Sequence, residues 1–342
     1  YYTYRSGVNG GYIKHCKKMA ESLKSKGFLE SSSFVIDVAG NDGTLLKQFK
    51  EASGCKTLNV DPAKNLVKIA ISEGIDSIDE FWTVELADKI VNSYYRKADV
   101  ITATNVFAHV DNVTDFIKAA KIVLKERGVL VLEFPYLIDF IENMEFDTTY
   151  HEHLSYMSIS PLNKLCISLD MEIIDVEKQD IHGGTVRVTI ANKDAIKVNP
   201  IVYKFLENEE KLGFLKANKY KNWEVSVKEI IKELQDSLMF LKKEGYKIAG
   251  FAASAKGNTL LNSAKVNTFL IDYIVDQTPE KIGKFSPGTG IPIVEFQTLL
   301  DNPPDYLIIL AWNFKKEIME KARNLGFKGK FIIPIPKFEI ID

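Results

Sequence analysis

Cysteine is scarce in this chain, and what there is does not pair. Cys16, Cys55 and Cys166 are the only three in 342 residues. They are odd in number and far apart, which excludes a disulfide framework and a paired-cysteine zinc knuckle; they read as ordinary buried thiols. No apolar run approaches the roughly 20 residues that span a bilayer, and the opening residues, Tyr1 to Asn9, carry no secretory pattern. The expected compartment is the cytoplasm, with no membrane partner. An excess of either charge is also missing. Lys and Arg number 44 against 46 Asp and Glu, which argues against bulk electrostatic capture of a nucleic-acid backbone. Short repeats and low-complexity stretches are absent. So is an initiating Met, and a segment N-terminal to Tyr1 is expected to be missing.

What remains is the balance of an ordinary folded protein, 46% hydrophobic and 26% charged, in a length that calls for two domains. Strand-like runs alternate with helical patterns: Ser33 to Ala39, Thr57 to Val60, Ala98 to Ala103 and Gly128 to Phe134 are separated by helices such as Ala63 to Ser72 and Val113 to Lys125. A helix from Gly11 to Gly27 precedes them. This order implies a parallel sheet covered on both faces. Met171 to Lys178 and Thr185 to Ala191 have no helix between them and read as an antiparallel pair. Helices follow from about Pro200 to Leu212 and Trp223 to Lys243, and the alternation resumes from Tyr246. The expected fold is α/β, with two doubly wound Rossmann-like domains joined by the strand pair and the long helices. The expected boundaries are 1–195, a linking segment 196–244, and 245–342.

Asp37-Val-Ala-Gly-Asn-Asp-Gly43 joins a strand to a helix, where small residues admit a ligand and the helix N-terminus offers unpaired N–H groups. Asp61 follows the next strand about 20 residues after the glycine loop, the usual place for a carboxylate on ribose hydroxyls. Together they mark an adenosine site built from Asp37, Gly40, Asn41, Asp42 and Asp61, with Asn105 and Val106 after the following strand. The three-glycine dinucleotide fingerprint is absent, and the acidic loop would repel a pyrophosphate. The cationic S-adenosylmethionine therefore fits better than NAD. Asp42 is either near the amino-acid end or sulfonium of that ligand or a helix N-cap.

Tyr150-His151-Glu152-His153 concentrates titratable side chains after Glu133-Phe-Pro-Tyr136, just past a strand's carboxyl end. Two of the five histidines in the chain lie here. Acid–base catalysis, structural hydrogen bonding and a metal site all remain open, although the loop lacks the helical i, i+4 spacing of a zinc protease motif; no metal is expected. His109 is either part of the same pocket or a structural group. His182 opens an apparent strand next to two glycines, and Arg187 could pair with a phosphate or carboxylate; a hairpin start explains the glycines equally well.

These motifs, with Tyr2-Thr-Tyr-Arg-Ser6, Asp147 to Tyr156, Ala255-Lys-Gly-Asn-Thr-Leu-Leu-Asn262 and Pro287-Gly-Thr289, run in order along nearly the whole chain. It resembles the C-methyltransferases that act on nucleotide-linked 4-keto-6-deoxy sugars. The resemblance implies a class I methyltransferase fold for the first domain. It also implies a reacting sugar lined by Tyr150, Glu152, His153, His109 and Tyr2 or Tyr4, with Tyr136 and His151 beside them. The substrate nucleotide would lie in the second domain near Lys256, Gly257, Asn258 and Thr259. The cysteine-rich zinc element that opens family members is absent from this chain, either cut away or lacking in this relative. At the first strand Asp37 stands where the family has Glu, and Ala39 where it has Gly.

Carbon methylation implies a ketone, because a sugar C–H is not acidic enough without a neighbouring carbonyl. His153 is the expected base, since an imidazole suits proton transfer near neutrality. Tyr150 or His109 would steady the enolate oxygen, and Glu152 would orient His153 or a sugar hydroxyl. The sugar and the methyl donor are expected to meet across the domain cleft. The rival readings are an oxygen or nitrogen methyltransferase, an NAD-dependent nucleotide-sugar oxidoreductase or epimerase, and a non-catalytic nucleotide-sugar-binding protein. The expected state is monomer or homodimer.

Overall fold

The computed structural model describes residues 2, 5–8, 10–94, 96–179 and 184–342. They form two compact units: Tyr1–Tyr136 with Leu154–Leu212, and Leu137–His153 with Gly213–Asp342.

The first unit is built on seven strands: β1 Phe34–Val38, β2 Lys56–Val60, β3 Ser77–Ile78, β4 Ala98–Thr104, β5 Leu124–Pro135, β6 Met171–Gln179 and β7 Thr185–Asn192. They lie in the order β3-β2-β1-β4-β5-β7-β6. The pairs from β3 to β5 are parallel, and the two pairs made by β7 are antiparallel. β1 is buried at all five positions, as a strand covered on both faces must be. The helix Gly10–Ser25 buries Cys16, Met19, Ala20 and Leu23, a stripe at helical spacing, in the same core as Leu45, Phe49 and Val35. This is the doubly wound class I methyltransferase fold.

The strand pair does not join the units. β7 is hydrogen-bonded along β5 from Val129↔Ala191 to Pro135↔Thr185. Its residues are apolar or paired on both faces and buried from Thr185 to Ala191, so it belongs inside a sheet. The linking segment 196–244 is likewise divided, with the helix Ile201–Lys211 in the first unit and Ala217–Lys243 in the second.

The second unit has six strands: β8 Ile248–Phe251, β9 Tyr273–Asp276, β10 Ile293–Glu295, β11 Tyr306–Ile309, β12 Lys330–Ile333 and β13 Glu339–Ile341. Their order is β10-β9-β8-β11-β12-β13, parallel except for β13. Leu234, Leu238 and Leu241 of the long helix are buried in its core with Ile248, Leu260 and Leu307. The segment Leu137–His153, expected in the first domain, belongs to this unit. Among the described residues no helix is long and apolar enough to cross a membrane.

Candidate active site

Among the parallel strands of each sheet the order reverses once, between β1 and β4 and between β8 and β11, and open α/β sheets gather ligands at the carboxyl ends of the strands beside such a reversal. At the first reversal the backbone is held in unusual conformations. Ala39, Asn41 and Asn105 have φ of 55°, 56° and 54°, a left-handed region that non-glycine residues rarely enter and that concentrates at ligand sites. Asp37 lies almost wholly out of solvent, its carboxylate accepting from Thr102 Oγ1 at 2.7 Å. Burial pushes its carboxyl up to about 7, opposed by the Thr102 hydrogen bond and reinforced by the negative charges of Asp61 and Glu133. Asp61 accepts the backbone N–H of Asn41 at 2.9 Å and of Ala63 at 2.7 Å, and burial raises its pKa too. Gly40 leaves no room for a side chain: a Cβ there would stand 2.4 Å from Asn59 Oδ1 and 2.7 Å from Asp37 Oδ2. Asn59 Oδ1 is itself buried without a hydrogen-bond partner.

The N-terminal segment is pinned to this loop. Asp42 accepts from Arg5 Nε at 3.2 Å, Gly7 N at 3.0 Å and Thr44 Oγ1 at 2.6 Å, while Asn41 Oδ1 accepts Ser6 N at 3.1 Å. Asp42 is not a cap, because the N-cap of the helix Thr44–Ser53 is Gly43, with φ 77°. Tyr2 is held by its backbone, its N–H on Asn65 Oδ1 at 3.1 Å and its carbonyl accepting Asn65 Nδ2 at 2.8 Å.

In the second unit the residues 145–153 fold into a tight loop. The Tyr150 and His153 rings lie against one another, tilted by 33° with centroids 4.3 Å apart. His153 Nδ1 is 2.9 Å from the carbonyl of Thr148. A carbonyl only accepts, so Nδ1 carries the hydrogen and the basic nitrogen of the neutral ring is Nε2. The two middle residues, His151 and Glu152, are exposed. Within the loop, Asp147 is fully buried and accepts the indole N–H of Trp312 at 2.7 Å. Burial raises its pKa. Burial also lifts Glu145 to about 7 against the pull of Lys256, whose Nζ lies 3.8 Å from Glu145 Oε2 and 5.3 Å from the centre of the Trp312 ring.

Residues 12–176 match a family model described as a methyltransferase domain, and residues 180–336 match one described as a C-methyltransferase C-terminal domain. A curated relative, the C-methyltransferase NovU of Streptomyces niveus, is 29% identical over the whole of this chain and 81% of its own length. Along its two halves the chain is therefore similar to C-methyltransferases. Among solved structures, the magnesium protoporphyrin IX methyltransferase of Synechocystis PCC 6803 with bound SAH is 12% identical, with a TM-score of 0.43 over 54% of this chain and 84% of that one. The plantazolicin methyltransferase BpumL, in complex with an analog and SAH, is 11% identical, with a TM-score of 0.41 over 53% and 84%.

The fold gathers Asp37, Gly40, Asn41, Asp61, Asn105 and Val106 at the first reversal, where the half-buried His109 closes a short 3-10 turn after β4. Two residues have partners other than those expected. Arg187 projects from β7 into the buried interior and donates through Nε to Glu133 Oε1 at 2.7 Å; the second Glu133 oxygen is 2.8 Å from His15 Nε2. Tyr136 is buried and donates its O–H to Glu209 at 2.9 Å. Gly257 serves packing, since a Cβ there would sit 2.6 Å from Leu310 Cβ, and Ser254 caps the helix Ala255–Ser263 by accepting Gly257 N. Thr259 returns its hydroxyl to the carbonyl of Ala255. Tyr4 and His182 lie outside the described residues. Glu145, Asp147 and Trp312 were not singled out as site residues; the signal available for the first two was an acidic pair just ahead of the Tyr-His-Glu-His cluster.

Proposed function

We propose that this protein transfers a methyl group from S-adenosylmethionine to a ring carbon of a nucleoside-diphosphate-linked 4-keto-6-deoxy sugar. The observation that carries the reading is His153, a half-buried imidazole whose Nδ1–H is directed at the Thr148 carbonyl, which leaves Nε2 as the base. Carbon methylation at neutral pH needs such a base and a C–H made acidic by a carbonyl, and a keto sugar supplies the second.

The first crevice suits the donor. Asp61 keeps lone pairs for ribose hydroxyls after accepting its two backbone N–H groups, and Asn59 Oδ1 is a buried acceptor with no protein donor. Asp37 offers a carboxylate that a nearby cation would help to ionise. When bound, the donor supplies an electrophilic methyl on its sulfonium. His153 Nε2 takes the proton from the carbon beside the ketone, and the resulting enolate carbon is the nucleophile. Tyr150 donates a hydrogen bond to the enolate oxygen. Asn258 and the first turn of the helix Ala255–Ser263 are assigned to the nucleotide, where the helix dipole favours a diphosphate.

The test is mass spectrometry of reactions containing trideuteriomethyl S-adenosylmethionine and a panel of nucleotide-linked 4-keto-6-deoxy sugars. A labelled methyl retained on carbon supports the reading and names the nucleotide. No transfer to any member, from protein that binds the donor, overturns the keto-sugar substrate.

A further inference from the structure

The second unit keeps costly groups in and beside its acid–base loop. Asp147 has one carboxylate oxygen on the Trp312 indole and the other, Oδ1, buried with no hydrogen-bond partner. Lys256 Nζ is also buried without one, lying over the same indole. Buried polar groups left partly unsatisfied destabilise a fold, and apolar side chains of like volume are often no worse than a buried ion pair. Their placement around a single indole points to a geometric task.

The hydrogen bonds show what that task is. The carbonyl of Glu145 accepts Thr148 N at 3.0 Å and Thr148 Oγ1 at 2.8 Å. The carbonyl of Thr148 in turn accepts Tyr150 N at 3.1 Å and faces His153 Nδ1 at 2.9 Å. Asp147 lies between these two carbonyls in sequence, so its bond to Trp312, in the 3-10 turn three residues past β11, fixes the peptide that orients the imidazole. Lys256, beside Glu145 and over the indole, holds the same short turn from the helix Ala255–Ser263.

We propose that Trp312 and Asp147, backed by Lys256, are positioning residues that lock His153 in the Nδ1–H tautomer with Nε2 as the base. The proposal rests on the reading of His153 as the catalytic base, and it gives Lys256 a task within the protein in place of a substrate phosphate.

The test is a long-range proton–nitrogen correlation spectrum of the full chain labelled with 15N-histidine, with His153 assigned from the signal lost in His153→Asn. The wild type is expected to show a single Nδ1–H tautomer. Trp312→Phe and Asp147→Ala should give averaged shifts of two tautomers, with kcat down about tenfold or more and KM for the accepted keto sugar within about twofold. Asp147→Asn, whose side-chain oxygen can still accept the indole N–H, should restore the single-tautomer pattern. If Trp312→Phe does not fold, the two Asp147 variants decide. A single-tautomer pattern that survives in folded Asp147→Ala overturns the positioning role. Full turnover in His153→Asn overturns the base assignment, and the tautomer readout needs no substrate, so the two failures are told apart.

Discussion

Replacing Asp37 with Asn should make the protein more stable at alkaline pH and weaken its hold on the methyl donor. Burial raises the Asp37 carboxyl from 3.8 to about 7. Between those values the folded chain keeps a proton that the unfolded chain has lost, so this group's contribution to stability falls as pH rises and levels off above 7. At 1.36 kcal/mol per pKa unit the full penalty is about 4 kcal/mol at pH 8. Asn carries no charge at any of these pH values and can still accept from Thr102. The stability difference, variant minus wild type, should therefore grow by about 3 kcal/mol between pH 5 and 8. Urea unfolding of both proteins at half-unit pH steps, followed by circular dichroism, measures it; Glu145 and Asp147 add similar slopes to both chains and cancel in the difference. Calorimetric titration with S-adenosylmethionine completes the test, with affinity expected to fall about tenfold as the cation loses a counter-charge. A stability difference that does not change with pH would refute the argument, because it would mean that Asp37 is ionised in the folded chain throughout.

Gly40→Ala forces a methyl group against Asn59 Oδ1 and Asp37 Oδ2; it should cost about 1–3 kcal/mol in unfolding free energy and weaken donor binding, and adding Asn59→Ala should recover part of the stability. Arg187→Met strands Glu133 in the sheet and should cost about 3–5 kcal/mol, read as a fall in Tm; an unmoved Tm with a raised KM would return Arg187 to the substrate. His153→Asn should lower kcat by about 10²–10⁴-fold while calorimetry shows donor affinity unchanged, and loss of both would make the residue structural. Titration with NAD should show no binding where S-adenosylmethionine binds.

Most strands of both sheets were readable because each is a short run of β-branched and apolar residues between turn signals, and β1, β4, β6 and β7 lie within about two residues of where the runs place them; the short edge strands β3 and β13 were not read. What escaped depended on distant partners. The helix Ile159–Ser168 was not expected, and its first N–H groups are satisfied by Glu209, which accepts Ile159 N at 2.6 Å and Ser160 N at 2.8 Å from a helix further along the chain. The polar start of the helix Ala217–Lys243 also escaped; there Lys219 is tied to Glu142 at 2.6 Å. The short helix Val84–Tyr94 was legible in principle, since Thr83 Oγ1 accepts Leu86 N. In the site, the loop that carries His153 was visible as a cluster of titratable side chains. The indole that orients it lies 165 residues from Asp147, and no local pattern connects them. Arg187 read as a partner for a phosphate or carboxylate, and only the pairing of β7 with β5 shows that the carboxylate it faces is that of Glu133.

Because the second unit takes in Leu137–His153, it is written into the gene in two instalments with part of the first unit between them. A chimera or truncation cut at 213, or at 180 where the C-terminal family model begins, would carry Lys256 and Trp312 but leave Glu145 and Asp147 behind. The lysine would lose its carboxylate and the indole its acceptor. Exchange of substrate preference between relatives therefore has to move residues 137–153 together with the C-terminal segment, and a recombination that respects only linear order would separate the proposed base from its support.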